Sequence, residues 1–207
     1  MIIGLTGGIG SGKSYISREL AKRGFAIYDC DREAKRIISE NKDIQAAIID
    51  LLGEEAFTPN PLTPNPLTRI YNTPYVAKRV FEDPELLNKL NAIVHPAVKE
   101  DISRQSSAIS LLFVESAILF ESGLDKLCDK IVVVEAPEVV RIARTIARDY
   151  HHKATPENIN KVRARIRAQK EIPAGTEVPQ GKLLTIVNDG SSVLSGIIDR
   201  ISRFAAG

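Results

Sequence analysis

The stretch Gly7–Ser14, which reads GGIGSGKS, has the residue types and the spacing of a phosphate-binding loop. It satisfies the pattern GxxxxGK[ST], between a predicted strand and a predicted helix. Glycines let successive backbone N–H groups turn toward phosphate oxygens, and the helix N-terminus adds partial positive charge. Lys13 would reach the β and γ phosphates, and the Ser14 hydroxyl would bind Mg²⁺. The strand–loop–helix context argues against a chance glycine-rich turn.

The loop predicts a nucleotide site built mainly from backbone. The residues expected to contact the nucleotide here are Gly8, Ile9, Gly10, Ser11, Gly12, Lys13, Ser14 and Tyr15. For Tyr15 the expected contact is its backbone N–H.

Acidic residues follow two of the predicted strands. Asp29 and Asp31 come just after the second strand, in YDCD, and Glu115 ends the third, in LFVESAILFE. Ligands of open α/β sheets bind at the carboxyl ends of the strands. A carboxylate there can accept the proton of an attacking hydroxyl or hold a magnesium ion through water. Asp29 or Asp31 could instead cap the next helix, and Glu115 and Glu121 could be ordinary loop acids, so the spacing leaves their roles open.

Arginines recur at helical spacing in the second half of the chain. Arg144 and Arg148 are four residues apart, as are Arg163 and Arg167 in the next helical segment, so each pair lies on one helix face. Such arginines can close over a transferring phosphate and neutralise the developing charge.

The histidines and cysteines give weaker signals. His95 precedes a proline, and a lone histidine is more often structural than functional. His151 and His152 have no partner ligands in view, so we expect no metal there. Cys30 and Cys128 form no CxxC pair, which favours a reducing, cytoplasmic setting over a disulfide framework.

The elements that must position these residues alternate along the chain. Short apolar runs predict strands at Ile2–Thr6, Phe25–Tyr28, Leu111–Val114, Ile131–Val134 and Leu183–Val187. Helical patterns begin at Lys13 and recur at about 31–52, 75–82, 84–105, 137–150, 156–170 and 191–205. Because the strands are almost continuously hydrophobic, the pattern predicts an α/β fold with a five-stranded parallel sheet flanked by helices.

Composition limits the class of protein. The 207 residues are 43% hydrophobic and 26% charged, as expected for one globular domain with a substantial core. A net charge of +2 is too small to argue for a nucleic-acid partner, and the absence of a long apolar run argues against a membrane span or a signal peptide. The repeated TPNPL at 58–62 and 63–67 predicts an extended surface linker, because four prolines in ten residues exclude helix.

We therefore predict a single domain over residues 1–207 with three parts. The nucleotide-binding core comprises 1–57, 108–136 and 183–207; a helical acceptor-binding insertion spans 58–107, and a lid spans 141–182.

Several motifs together resemble the dephospho-coenzyme A kinase family of P-loop kinases. In chain order they are LTGGIGSGKS, YDCD, LNAIVHPAV, ILFESGL, RTIARD, RIRAQ and IVNDG. They cover nearly the whole chain, and in combination they are far more specific than the phosphate loop alone.

The resemblance implies a P-loop NTPase fold and a reaction. The family transfers the γ-phosphoryl group of ATP, with Mg²⁺, to the ribose 3′-hydroxyl of dephospho-coenzyme A. It implies that Asp31 is the catalytic base and that Arg144 and Arg148 act from the lid. His95 and Glu121 would line the acceptor side. A cytoplasmic monomer or small homo-oligomer is expected.

The resemblance also implies that the turn containing Asn188 and Gly190 passes the adenine. Tyr15 stands where the family usually has threonine, and the segment after Gln169 lacks the expected Glu- and Lys-rich helix. Another small-molecule or nucleoside kinase remains the alternative. A GTPase-like switch is disfavoured because VNDG lacks the lysine of a guanine motif, and a non-catalytic binding module is disfavoured by the intact Lys13 and Ser14.

Overall fold

The structure is a computed structural model that describes residues 1–60, 69–169, 178–191 and 193–207. It divides into two compact units, one formed by residues 1–29 with 106–207 and the other by residues 30–105. The sequence analysis placed the start of the helical insertion at residue 58, whereas the second unit begins at Cys30. The three functional parts of the chain therefore stay a prediction.

The first unit is built on a five-stranded parallel sheet. Its strands are β1 (Ile2–Thr6), β2 (Ala26–Asp29), β5 (Leu112–Glu115), β6 (Lys130–Glu135) and β7 (Leu183–Val187). Their order across the sheet is β2-β5-β1-β6-β7, and every neighbouring pair is parallel. The five predicted strands are confirmed to within one or two residues at each end. Chain order and sheet order differ, which brings loops distant in sequence to the same edge of the sheet.

Helices cover this sheet and provide the core. They are α1 (Lys13–Lys22), α6 (Glu138–Asp149), α7 (Pro156–Ala168) and α8 (Leu194–Ala206). Apolar side chains of α1 and α8 pack with those of β1, β5, β6 and β7 in one buried cluster. Gly4, whose neighbours Ile3 and Leu5 face that cluster, lies against Leu119 on the other face, where a Cβ would come within 2.7 Å of the leucine. A parallel sheet buried on both faces explains the apolar strands.

The second unit is mainly helical. It contains α2 (Cys30–Glu40), α3 (Lys42–Leu52), α4 (Thr73–Phe81), most of α5 (Pro84–Ala108), and a hairpin of β3 (Phe57–Pro59) with β4 (Arg69–Tyr71). The single helix expected over 31–52 is two helices, because the Asn41 side chain accepts hydrogen bonds from the backbone N–H groups of Asp43 and Ile44 and starts α3.

The helix predicted over 84–105 is α5, which continues through Pro96 although proline cannot donate to the helical ladder. The hairpin was not predicted from sequence. Its first strand includes Thr58 and Pro59 of the TPNPL repeat, and residues 61–68 lie outside the described residues. Residues 170–177 of the predicted lid also lie outside them. Within the described part of the chain, none of the helices combines the length and apolar character of a membrane span.

Candidate active site

The phosphate loop runs from the end of β1 to the start of α1, and two of its glycines are required by close contacts. Gly10 has φ +77° and Gly12 has φ +93°, which side-chain-bearing residues rarely adopt. A Cβ on Gly10 would lie 2.4 Å from the carbonyl oxygen of Arg141, and one on Gly12 would lie 2.2 Å from Nδ2 of Asn188. The glycines thus let α6 and the loop after β7 support the phosphate loop from outside.

Side chains hold three consecutive carbonyl groups of the loop, and Arg144 Nη1 donates to the middle one, that of Gly10, at 3.5 Å. Arg141 Nε donates to the Ile9 oxygen at 2.9 Å. The Ser11 oxygen accepts from Asn188 Nδ2 at 2.8 Å and from Arg144 Nη1 at 3.2 Å.

These bonds orient the loop's amides. In a trans peptide, the C=O of one residue and the N–H of the next point in opposite directions. Holding the carbonyls of Ile9 and Ser11 on the outer side therefore turns the N–H groups of Gly10 and Gly12 to the inner side, where phosphate oxygens would bind.

Lys13 and Ser14 converge on one carboxylate. Lys13 Nζ lies 2.9 Å from Oε1 of Glu115, and the Ser14 hydroxyl donates to the same oxygen at 2.6 Å. The side chains of Lys13 and Glu115 are only 12% and 7% exposed. Burial alone would raise the pKa of Glu115, but the Lys13 charge and the hydrogen bonds from Ser14, Ser17 and Lys13 outweigh it and lower that pKa. The site thus holds an ionised carboxylate beside the two side chains expected to handle phosphate and Mg²⁺.

These oxygen donors fit magnesium. A hard divalent cation prefers carboxylate and hydroxyl oxygens, and it keeps several waters. Asp29 ends β2 directly opposite Glu115 in the strand register, and Leu5 of β1 lies opposite Glu115 on its other side. Asp29 and Glu115 are therefore neighbours at the carboxyl edge of the sheet, and either could hold the ion, directly or through water.

Asp31 lies in the first turn of α2, two residues after the end of β2, and it is exposed. The helix begins at Cys30. The carboxylate thus stands at a helix N-terminus, close to the carboxyl end of β2.

A cleft of about 410 Å³ lies beside the loop. Its lining residues are Gly12, Tyr15, Arg144, Asn188, Gly190, Leu194 and Ile197. Four residues predicted to contact the nucleotide therefore share one cleft: Gly12, Tyr15, Asn188 and Gly190. The Tyr15 N–H donates to the Gly12 oxygen at 3.0 Å, and Tyr15 lines the cleft.

The predicted arginines have unequal surroundings. Arg144 is half-buried, and its Nη1 donates to the Asn188 oxygen at 2.9 Å as well as to the loop. Arg148 is exposed and pairs with Asp149 at 2.6 Å. Arg163 pairs with Glu138 of α6 at 3.0 Å, and Arg167 is exposed. Of the four predicted arginines, Arg144 is the one that hydrogen-bonds the phosphate loop within the described part of the chain.

The residues assigned to the acceptor side lie in different units. Glu121 is exposed in the segment after β5. His95 is half-buried in the second unit, and burial together with the nearby Lys99 lowers its pKa. His95 is therefore neutral at pH 7 and can offer a hydrogen bond without a charge.

Sequence reasoning missed two side chains that hold the loop. Arg141 belongs to none of the motifs singled out in the sequence, and Gln169 enters them only as the last residue of RIRAQ. Gln169 Oε1 accepts from the Ile9 N–H at 2.7 Å. Neither Arg141 nor Gln169 belongs to the loop motif. Only information that α6 and the end of α7 lie next to the loop in space could have identified these two residues.

The parallel sheet, the glycine loop at the carboxyl edge and the Lys13–Glu115–Ser14 arrangement define a P-loop kinase fold. A family model described as dephospho-CoA kinase matches residues 1–190. A dephospho-CoA kinase from Fusobacterium nucleatum is 35% identical over 206 residues, which cover 99% of this chain and 96% of that protein.

Solved structures agree with this comparison. The crystal structure of TT1252 from Thermus thermophilus superposes with a TM-score of 0.71 at 30% identity, covering 98% of this chain and 94% of that one. A dephospho-CoA kinase from Campylobacter jejuni shares the fold, with a TM-score of 0.62 at 21% identity over 100% of this chain and 98% of that one. The chain belongs to the dephospho-CoA kinase family.

Proposed function

We propose that this chain performs the dephospho-CoA kinase reaction with the residues described above in specific roles. The reaction transfers the γ-phosphoryl group of ATP to the ribose 3′-hydroxyl of dephospho-CoA and uses Mg²⁺. The observation that carries the assignment of roles is the convergence of Lys13 and Ser14 on the buried carboxylate of Glu115.

On the donor side, the loop and Lys13 bind the phosphates. Of the predicted backbone set Gly8, Ile9, Gly10, Ser11 and Gly12, the amides of Gly8, Gly10 and Gly12 are the proposed phosphate donors, because that of Ile9 is bonded to Gln169 and that of Ser11 to the Gly8 oxygen. Lys13 turns from Glu115 to the β and γ phosphates when ATP is bound. Its charge then offsets the negative charge that develops during transfer.

The cation site uses Ser14 and the acids at the sheet edge. Ser14 is the proposed direct ligand, and Glu115 or Asp29 holds the ion, directly or through water. Bound Mg²⁺ supplies charge neutralisation at the β and γ phosphates. Glu115 also keeps Ser14 and Lys13 aligned before ATP arrives, because both donate to it.

The cleft beside Asn188 is the proposed site of the adenine. Gly190 and Tyr15 both line this cleft. A flat base fits against an aromatic ring by stacking.

Asp31 is the proposed base. Because α2 begins one residue before it, its carboxylate is held on the first helical turn after the strand that ends at Asp29. There it would accept the proton of the 3′-hydroxyl. His95 and Glu121 are the proposed contacts to dephospho-CoA, and Arg144 and Arg148 the arginines that neutralise the transferring group.

We further propose that the protein acts in the cytoplasm on these small molecules, as a monomer or small homo-oligomer, without nucleic acid or membrane. Sedimentation of the purified protein with and without ATP tests the assembly state.

The first experiment measures ATP consumption with Mg²⁺, in the presence and absence of dephospho-CoA, with the product identified by mass. A gain of one phosphate on the ribose, with little ATP lost without acceptor, supports the function. Transfer only to a nucleoside or another small alcohol would keep the donor site and reject the acceptor.

The Asp31→Asn variant tests the base. We expect kcat to fall by ~10²-fold while ATP affinity changes little, because the amide cannot accept the hydroxyl proton. The matched control is Asp43→Asn, an exposed acid in the first turn of α3. Near-normal turnover of Asp31→Asn removes the residue from this role.

A further inference from the structure

Ile9, inside the phosphate loop, is held on three sides by α6 and α7. Its N–H donates to Oε1 of Gln169 at 2.7 Å, and its carbonyl accepts from Arg141 Nε at 2.9 Å. Its side chain packs against the buried cluster of Ile146, Val162 and Ile166, which joins the two helices. No other residue of Gly7–Ser14 has this set of contacts among those that the structure describes.

Gln169 also contacts the segment that follows β5. Its Nε2 donates to the carbonyl oxygen of Ala117 at 3.2 Å. Ala117 follows Glu115, the carboxylate that binds Lys13 and Ser14, by two residues. One amide side chain therefore bridges the phosphate loop and the segment that leaves β5.

The chemistry of this bridge requires glutamine. A backbone N–H needs an acceptor and a backbone carbonyl needs a donor, and the carboxamide offers both at once. The two partners also determine which side-chain atom is oxygen and which is nitrogen. Glutamate keeps the acceptor but loses the donor when ionised, and alanine loses both.

Capping of α7 does not account for this side chain. The backbone N–H of Gln169 already bonds to the Ile166 oxygen, which closes the helix end. The side chain is half-buried and points at the loop rather than at the last carbonyl groups of the helix.

We propose that Gln169 is a positioning residue for phosphoryl transfer. It holds the Gly8–Ile9 peptide, while Arg141 holds the next one, so that the N–H of Gly10 faces the phosphate. This inference rests on the proposed function, because it assumes that the loop binds ATP for transfer. It adds a role for the end of α7 that the loop motif does not contain.

The experiment measures two quantities in wild type, Gln169→Ala and Gln169→Glu. The first is hydrogen exchange of the Ile9 amide in the protein without substrate, followed by NMR. We expect faster exchange in Gln169→Ala and retained protection in Gln169→Glu, which still accepts from this N–H. The second is the kinetics with ATP and dephospho-CoA, in which we expect Gln169→Ala to lose about three- to tenfold in kcat, the size of one hydrogen bond.

The control is Lys161→Ala, which removes an exposed ion pair from the same helix. It should leave both Ile9 exchange and kcat at the wild-type values. In Gln169→Ala we expect kcat to fall while the KM for dephospho-CoA stays within about twofold of the wild-type value, because the residue acts on the phosphate loop and not on the acceptor.

Several outcomes would overturn the inference. One is unchanged Ile9 exchange in Gln169→Ala. Another is a lower melting temperature of that variant with kcat unchanged, which would indicate support of the fold alone. If wild type fails to phosphorylate dephospho-CoA, the proposed function fails, and the Ile9 exchange rates still decide whether Gln169 holds the loop.

Discussion

Two regions of the first unit carry ion pairs of similar length in very different surroundings. In the inner region, where α1 begins and β5 ends, Lys13 and Glu115 are 2.9 Å apart and almost buried. In the outer region, at the end of α6, Asp149 pairs with Arg148 at 2.6 Å and with Arg165 at 2.8 Å, and the two arginines are 62% and 48% exposed. Water screens the outer pairs and leaves the inner one strong. The strength of these ion pairs is therefore set by their exposure to water rather than by the distance between the charged atoms.

The inner region also differs in what its charges bind. Arg141 and Arg144 donate to backbone carbonyls of the phosphate loop, whereas Arg148 and Arg165 bind a carboxylate. Inner changes should therefore alter catalysis through the loop. Outer changes should mainly alter stability by small amounts, except at Arg148, which is also proposed to act in transfer.

The largest expected effect comes from Lys13→Ala. Removing the charge that faces the β and γ phosphates should lower kcat by about 10²- to 10³-fold, and it leaves the Glu115 carboxylate without its cation. Steady-state kinetics measure the loss, and circular dichroism checks that the variant folds. Lys22→Ala, on the exposed end of α1, is the control. Retained transfer by Lys13→Ala would contradict the loop assignment.

The next effect is that of Glu115→Gln. We expect about a tenfold or greater rise in the Mg²⁺ concentration needed for half-maximal rate, because the anionic oxygen is lost. Asp199→Asn, an exposed acid on α8, should leave the Mg²⁺ requirement unchanged.

The same variant tests the pH dependence of stability. Because the folded-state pKa of Glu115 is lowered, its contribution is present above its unfolded-state pKa and is lost as pH falls through the folded-state value. Wild type should therefore lose more unfolding free energy in acid than Glu115→Gln, as measured by urea unfolding between pH 7 and 3. If the unfolding free energies of the two proteins fell in parallel as the pH was lowered, the pKa of Glu115 would not be lowered in the folded state.

A smaller effect separates Arg144 from Arg148, two of the three arginines of α6. Arg144→Ala should raise the KM for ATP by about tenfold, because the Ser11 carbonyl and Asn188 lose a donor. If Arg148 closes over phosphate only during transfer, Arg148→Ala should instead lower kcat without changing ATP affinity. Arg18→Ala on α1 is the exposed control. If Arg144→Ala and Arg148→Ala changed kcat and the KM for ATP equally, the distinction between the inner and outer regions would be wrong.

The smallest effect is expected for Asp149→Asn. Its neighbours, Arg148 first, hold the pKa of Asp149 at about 2. Its contribution to stability is therefore present above about pH 4 and disappears toward about pH 2. Because the arginines are largely exposed, we expect a loss of only ~0.5 kcal/mol at pH 7, reduced further by salt. Thermal unfolding at low and high ionic strength measures this loss of stability. A loss of several kcal/mol would show that water does not screen the pairs of Asp149 with Arg148 and Arg165.

Much of the nucleotide site could be predicted from local sequence. The phosphate loop, the five strands and Glu115 at a strand end follow from patterns within a few residues, because glycine conformation, strand hydrophobicity and the GKS order are local properties. The break at Asn41 was in principle visible as an N-cap signal. The hairpin beside TPNPL was not, since each of its strands is only three residues long.

The contacts around the loop had to come from the fold. Asn188 and Gln169 reach the loop across separations of 177 and 160 residues, and no local pattern encodes such a distance. The same holds for Arg144, whose spacing to Arg148 predicts a shared helix face but not which of them meets the loop.

The sequence by itself determined the α/β class, the phosphate loop, the acids at the strand ends and the family resemblance, because each depends on residue type and short spacing. Only the tertiary structure decided which side chains hold the loop carbonyls, that Lys13 and Ser14 share Glu115, and that Ile9 connects the loop to α6 and α7. The physical reason is that parallel strands join in an order different from the chain order. Distant loops therefore meet at one edge of the sheet, where burial rather than spacing sets the strength of each charge.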